Sequence, residues 1–310
     1  MSQPLPPKSE YLNLTEGAGF VELGPRCFVR LTGNDRQAFF HNFCTNEIKQ
    51  LNPGDVCEAF VLNTKGKLLG HVYALAFENE LLLSGHGPQG PTIVPHLDKY
   101  LIREDVELLD ESESHAAIFV CGDQAPSKLA ELELPGQNQC LAATLGQSSV
   151  QISHVEVAGM GYLITFPSRD LESVRQFLSN AGLECCTLAT LEILRVEQRT
   201  PWFGIDADET NLPQELQRDE QAINFNKGCY LGQETVARID ARGRVNQLLV
   251  GLELGDGSIS PGDKLIVEEK TVGKITSTVY SFARDKTIGL GYVRRAFHEP
   301  GTEIGSAKVM

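Results

Sequence analysis

The sequence predicts an α+β protein in which two ferredoxin-like mixed lobes are followed by a small C-terminal β-barrel. Three observations predict it. Apolar periodicity spells out a β-α-β-β-α-β order in one stretch of the chain and a similar order in the next. From Arg244 the texture changes to short apolar runs broken by glycine and proline turns. The 310 residues exceed what one hydrophobic core usually organises, and a 41% hydrophobic content suits ordinary globular packing.

The first lobe opens with strands at 20–23 and 27–31. Asn34 and Asp35, whose side chains accept from free helix N–H groups, cap a helix expected to run to about Asn46. Strands follow at 56–62, 68–76 and 80–83, then a helix from Pro91 to about Ile102 and a strand at 106–109. Beyond the polar spacer 110–114, the second lobe reads as a strand at 116–121, a helix at 125–132 and strands at 150–157 and 162–166. A helix at 169–180 closed by Gly182, a short strand at 184–186 and a helix at 188–198 stopped by Pro201 complete it. The barrel runs lie at 248–254, 264–267, 272–279, 287–292 and 304–309. They are set apart by Gly255-Asp256-Gly257, Pro261-Gly262-Asp263 and Pro300-Gly301. The expected divisions are 1–110, 111–243 and 244–310, a scheme compatible with exchange of a strand between the first two lobes.

Charge and composition exclude several classes. Lys and Arg number 27 against 41 Asp and Glu, and a net charge of −14 repels a polyphosphate backbone, so general nucleic-acid binding is disfavoured. No apolar run approaches the roughly 18–20 residues that span a bilayer. The segment from Met1 to Glu10, with three prolines, lacks the charged-then-apolar profile of a signal peptide, and the first arginine is Arg26. The expectation is a soluble, cytoplasmic protein with no membrane partner. The eight cysteines form no Cys-x-x-Cys pair, which predicts free thiols, mostly buried, and no metal site. His41-x-x-Cys44, beside Phe39, Phe40 and Phe43, reads as helix packing.

The segment with chemical potential lies between the mixed lobes and the barrel. In Lys227-Gly228-Cys229-Tyr230-Leu231-Gly232-Gln233-Glu234, two glycines bracket Cys-Tyr-Leu and permit close backbone approach. A short helix expected over Gln233 to Ile239 places Cys229 just before a helix N-terminus, and Lys227 adds a nearby cation; both favour a thiolate. Residues 227–244 hold Lys227, Arg238, Arg242 and Arg244 against Glu234 and Asp240, a basic island in an acidic chain and a candidate anion site. On these residues alone, a buried structural thiol and arginines paired with the protein's own acids are the favoured reading.

Lys227 to Glu234 resembles the signature of the YgfZ family, folate-binding proteins related to the aminomethyltransferase (T-protein) of the glycine cleavage system. The likeness extends to Val236-Ala237-Arg238, to Leu194-Arg195-Val196-Glu197 with Pro201-Trp202, to Leu212-Pro213-Gln214-Glu215, and to Leu62-Asn63-x-Lys65-Gly66. It implies three lobes in a cloverleaf around a central folate opening, with tetrahydrofolate or a one-carbon derivative as cofactor. It also implies a role in assembly or repair of iron–sulfur clusters, with client or assembly proteins as partners. Under the resemblance Cys229 is the functional thiol with Lys227 beside it. Glu197 stands where relatives recognise the pterin, and Arg238, with Arg242 or Arg244, would hold the folate's glutamate tail. Tyr230 or Trp202 would stack on a flat ring, and Asn63 and Gln233 complete the candidate contacts. Read without the resemblance, Glu197 is a helix-surface carboxylate paired with Arg195 or Arg199, and both aromatics are core.

Two departures matter. Aminomethyltransferases carry Gly-Gly-x-x-Asp-Asp where this chain reads Gly66-Lys67-Leu68-Leu69-Gly70-His71, so aminomethyl transfer lacks its carboxylate. The alternative reading is nevertheless a folate-dependent aminomethyltransferase or demethylase-like enzyme with another group, such as His71, in that role; a third is an interaction scaffold with a vestigial pocket. The second departure, Gln198-Arg199-Thr200, puts Arg199 where it would crowd the pterin side.

Overall fold

Strands with one or both faces buried build three sheets, which a computed structural model describes over residues 4–255 and 259–310. Asp256 and Gly257 of the expected turn lie outside the described residues. A helix, α1 (Lys8–Thr15), buries Tyr11 and Leu14 on one face and leads into β1 (Gly19–Glu22). The first lobe is β2 (Arg26–Thr32), α2 (Arg36–His41), β3 (Val56–Leu62), β4 (Leu68–Ala76), β5 (Glu80–His86), α3 (Gly90–Asp98) and β6 (Glu107–Asp110). Its antiparallel sheet runs β3-β4-β5-β2-β6.

The second lobe follows with β7 (His115–Cys121), α4 (Ala125–Lys128), β8 (Cys140–Leu145), β9 (Ser148–Glu156), β10 (Met160–Pro167), α5 (Leu171–Asn180), β11 (Glu184–Cys186) and α6 (Leu188–Glu197). Read from one edge, its sheet is β8-β9-β10-β7-β1-β11. Both lobes thus use one plan, in which β1 is the insertion: it pairs antiparallel with β7 and parallel with β11. The strand nearest the N-terminus therefore serves the second sheet rather than the first.

After α7 (Asp219–Ala222) and α8 (Gln233–Arg242), the chain forms β12 (Gln247–Leu254), β13 (Lys264–Val267), β14 (Lys270–Ser281), β15 (Lys286–Arg294), β16 (Glu303–Ile304) and β17 (Ala307–Val309). The order β13-β14-β15-β12-β17-β16, with β13 returning close to β16, makes a nearly closed barrel. The chain is α+β, with one antiparallel sheet, one mixed sheet and a C-terminal barrel.

Each sheet has its own apolar cluster, and a further one, including Tyr11, Phe28, Tyr73 and Trp202, lies between the lobes. Arg195 on α6 clamps this junction while fully buried. It donates to Asp206 at 2.6 Å, to Glu192 at 2.7 Å and to Ser277 of β14 at 2.8 Å. A buried cation needs paired acceptors, and these tie lobe, connector and barrel into one unit.

Several local features differ from the sequence reading. The helix expected to reach Asn46 ends at His41, because the carbonyls beyond it serve another segment and Cys44 bridges to Val61. The helix expected over 125–132 is one turn, Ala125–Lys128. Strand β8, half exposed and low in β-branched residues, and helix α1, with only two buried side chains, had no matching periodicity.

Candidate functional site

The signature segment is held by its lysine. Lys227 Nζ donates to the carbonyls of His41 at 2.6 Å, Cys44 at 2.8 Å and Asn46 at 2.7 Å. Burial pushes the ammonium below its ordinary pKa. Its charge thus goes to the end of α2 rather than to the Cys229 thiol. Tyr230 is buried in a cluster with Phe60, Leu62 and Val236, and Lys227 lies over its ring at 4.9 Å. That ring is covered by the protein itself.

Backbone meets backbone beside this cluster. Gly232 has φ 83°, and a Cβ there would stand 2.7 Å from the Asn63 carbonyl; a Cβ on Gly66 would stand 2.6 Å from Thr235 Cβ. Asn63 Oδ1 accepts from the amides of Lys65 at 2.8 Å and Lys67 at 3.1 Å, closing the turn that fits against α8. Gln233 opens that helix, and Arg238, Arg242 and Arg244 are exposed along it and just beyond. Cys229 is exposed three residues before the helix cap, and Cys185 is the other exposed thiol.

Glu197 closes α6 at the junction of three elements. Tyr11 of α1 donates to its Oε2 at 2.9 Å, and Ser281 at the end of β14 donates to its Oε1 at 2.5 Å. Burial, then the Glu197 carboxylate, push the Tyr11 phenol well above its ordinary pKa. Phe282 packs 5.3 Å from Tyr11, giving the carboxylate an aromatic neighbour. Neither Arg195 nor Arg199 is its partner. Arg199 adopts φ 58° and runs beside Gly251 of β12, so it does not crowd Glu197.

A small cavity of about 30 Å³ opens between the lobes, walled by Arg26, His71, His86, Glu156, Thr200 and Trp202. Trp202 stacks on His86 at 4.1 Å and 18° and donates from Nε1 to the Val157 carbonyl at 2.9 Å. Burial lowers His86 to about 4. His71 hydrogen-bonds Glu58 at 2.7 Å, and Arg218 grips Glu58 through two bonds of 2.6 and 2.7 Å before reaching Glu156 at 3.0 Å. Burial alone would raise Glu58, but the bonds from Arg218 and His71 outweigh it and hold the group at about 2.

Of the residues singled out in the sequence, Trp202 and His71 line this cavity, Glu197 stands at the three-element junction, and Cys229, Lys227, Tyr230, Gln233, Arg238 and Asn63 belong to the α8 region. Tyr11, Ser281, Arg26, His86, Glu58 and Arg218 escaped sequence reasoning. Each depends on a partner distant in the chain, and Arg26 alone carried a signal, as a cation at the head of an apolar strand.

The chain matches the GCVT N-terminal domain family over residues 7–227 and the glycine cleavage T-protein C-terminal barrel domain family over residues 248–307. It is similar to a putative chloroplastic transferase of Arabidopsis thaliana, at 27% identity over 93% of this chain and 68% of that protein. An aminomethyltransferase of Thermosynechococcus vestitus is 28% identical over 95% of this chain and 82% of its own. The tRNA-modifying protein YgfZ of Vibrio vulnificus is 28% identical over 79% and 72%. The crystal structure of aminomethyltransferase T from Bartonella henselae superposes with a TM-score of 0.83 at 19% identity, over 97% of this chain and 86% of that one, a likeness of fold.

Proposed function

Since the chain belongs to the glycine cleavage T-protein family, whose N-terminal domain matches residues 7–227, we propose that it is a tetrahydrofolate-binding protein of the YgfZ kind. In this reading it supports assembly or repair of iron–sulfur proteins through Cys229. The residues at the junction have the hydrogen-bonding chemistry that a reduced pterin would need. Glu197 offers two acceptor oxygens to the ring N–H and amino groups, beside Tyr11 and Phe282 as apolar neighbours. Tyr11 and Ser281 orient the carboxylate and are displaceable donors. The bound folate would supply one-carbon acceptor chemistry. Arg238 is the proposed partner of its glutamate tail.

The observation that carries the reading against aminomethyl transfer is the state of the Glu58–His71 pair. His71 stands where relatives have an aspartate, and the carboxylate next to it is locked by Arg218 and held at about 2, so it cannot take up a proton near neutral pH. Cys229, exposed on an anchored segment, remains available to a partner, and as a single thiol it would need another chain's ligands to hold a cluster. Residue names aside, the chain has no helix among the described residues long and apolar enough to cross a membrane. Incubation with tetrahydrofolate and a methylamine donor tests the reading: it predicts binding without turnover, and methylene transfer to the folate would move the assignment to the enzyme.

A further inference from the structure

Arg26 is 4% exposed at the head of β2, paired in register with His86. Its Nε has no hydrogen-bond partner among the described residues, and no carboxylate is among the charges acting on it. Burial accordingly weakens its hold on the proton, to about 10. The two other fully or nearly buried arginines, Arg195 and Arg218, each grip two carboxylates. Arg26 instead lines the cavity it shares with His86, Trp202 and Thr200. A guanidinium with five donors in a plane is costly to bury unless an acceptor meets it.

The neighbours are already committed. His86 Nδ1 is engaged with the Phe203 carbonyl at 3.1 Å, Thr200 donates to Glu156 at 3.1 Å, and Glu156 is bridged to Arg218. A single cation is left over, which suits a monoanion. The cavity is small, about 30 Å³, and partly open, so it takes the head of an anion with the remainder at its mouth. A planar carboxylate presents two oxygens that match the guanidinium fork, whereas a phosphate brings more charge than the lone cation matches.

We infer that this cavity is a carboxylate subsite, in which Arg26 holds the head of a small monocarboxylate of formate or acetate size against the Trp202–His86 stack. Its lining includes His71 but none of Glu197, Tyr11 or Ser281, so it goes beyond the folate contacts proposed above.

Trp202 is the only tryptophan in the chain, so its fluorescence reports this cavity directly. The experiment is a titration of the full-length protein with sodium formate and sodium acetate at constant ionic strength, with sodium chloride and inorganic phosphate in parallel. Saturable change in Trp202 emission with the carboxylates, absent with chloride and phosphate, is expected. Arg26→Met should abolish it, Arg26→Lys should weaken it at least tenfold, and the Met variant alone should melt no lower than the wild type because an unmatched buried charge is gone. No saturation with either carboxylate, an equal response in Arg26→Met, or preference for phosphate would overturn the inference. Tetrahydrofolate stabilisation, read on the same wild-type preparation by melting, reports the other site separately.

Discussion

The Lys227–Glu234 segment and the junction around Glu197 and Arg26 differ in where their hydrogen-bonding capacity goes. In the first, Lys227 spends its donors on three backbone carbonyls, Tyr230 is packed in a core, and two glycines seat the α8 helix start against the Asn63–Lys67 turn. Cys229 is left exposed, with Gly228 and Glu234. At the junction, Glu197 is held by hydroxyls that a ligand can replace, and Arg26 has no acceptor for Nε. The segment most recognisable in the sequence is thus chiefly a fastening for one thiol, and the proposed binding residues are drawn from three parts of the chain.

That contrast can be broken by substitution. Lys227→Met should have the largest effect on stability, about 3 kcal/mol in urea denaturation, because three carbonyls lose a buried charged donor. A loss under 1 kcal/mol would mean that the lysine is not the fastening.

A smaller effect appears with pH at the junction. His86 titrates at about 4 in the fold against an ordinary 6.5, so the unfolded chain binds the extra proton between those values. Its contribution to stability is complete above about pH 6.5 and is lost as pH falls through about 4. His86→Phe, which keeps a ring on Trp202, should flatten that limb of the stability profile. Glu58 acts lower, its contribution being lost as pH falls from 4.5 through about 2.

The smallest change is expected at Cys229. Cys229→Ala should shift stability by no more than about 0.5 kcal/mol, as for an exposed side chain, while abolishing support of an iron–sulfur enzyme in cells. Full complementation by the variant would remove the thiol from the function.

The same contrast explains what was legible in the sequence. The order of elements was, because alternation and helical spacing are local: the strands at 56–62 and 68–76 and the helix at 188–198 lie where their apolar periods put them. Choice of partner was not. Nothing in Gly19–Glu22 says that it pairs with β7 and β11 rather than β2, and α2 ends early because Lys227, 186 residues from His41, claims the carbonyls beyond it. Glu197 could be found only through the family motif, since the Tyr11 and Ser281 hydroxyls that orient it come from either end of the chain. Arg26 stands out only by its burial without a carboxylate, which depends on the packing of both lobes.

The most direct measurement of the proposed folate site is a thermal titration with tetrahydrofolate on the wild type and on Glu197→Ala. The melting temperature of the wild type should climb with the logarithm of ligand excess over Kd, while Glu197→Ala, folded and cooperative, should respond at least tenfold more weakly. A wild type that does not respond, or a variant that responds equally, would contradict the placing of the pterin at this junction.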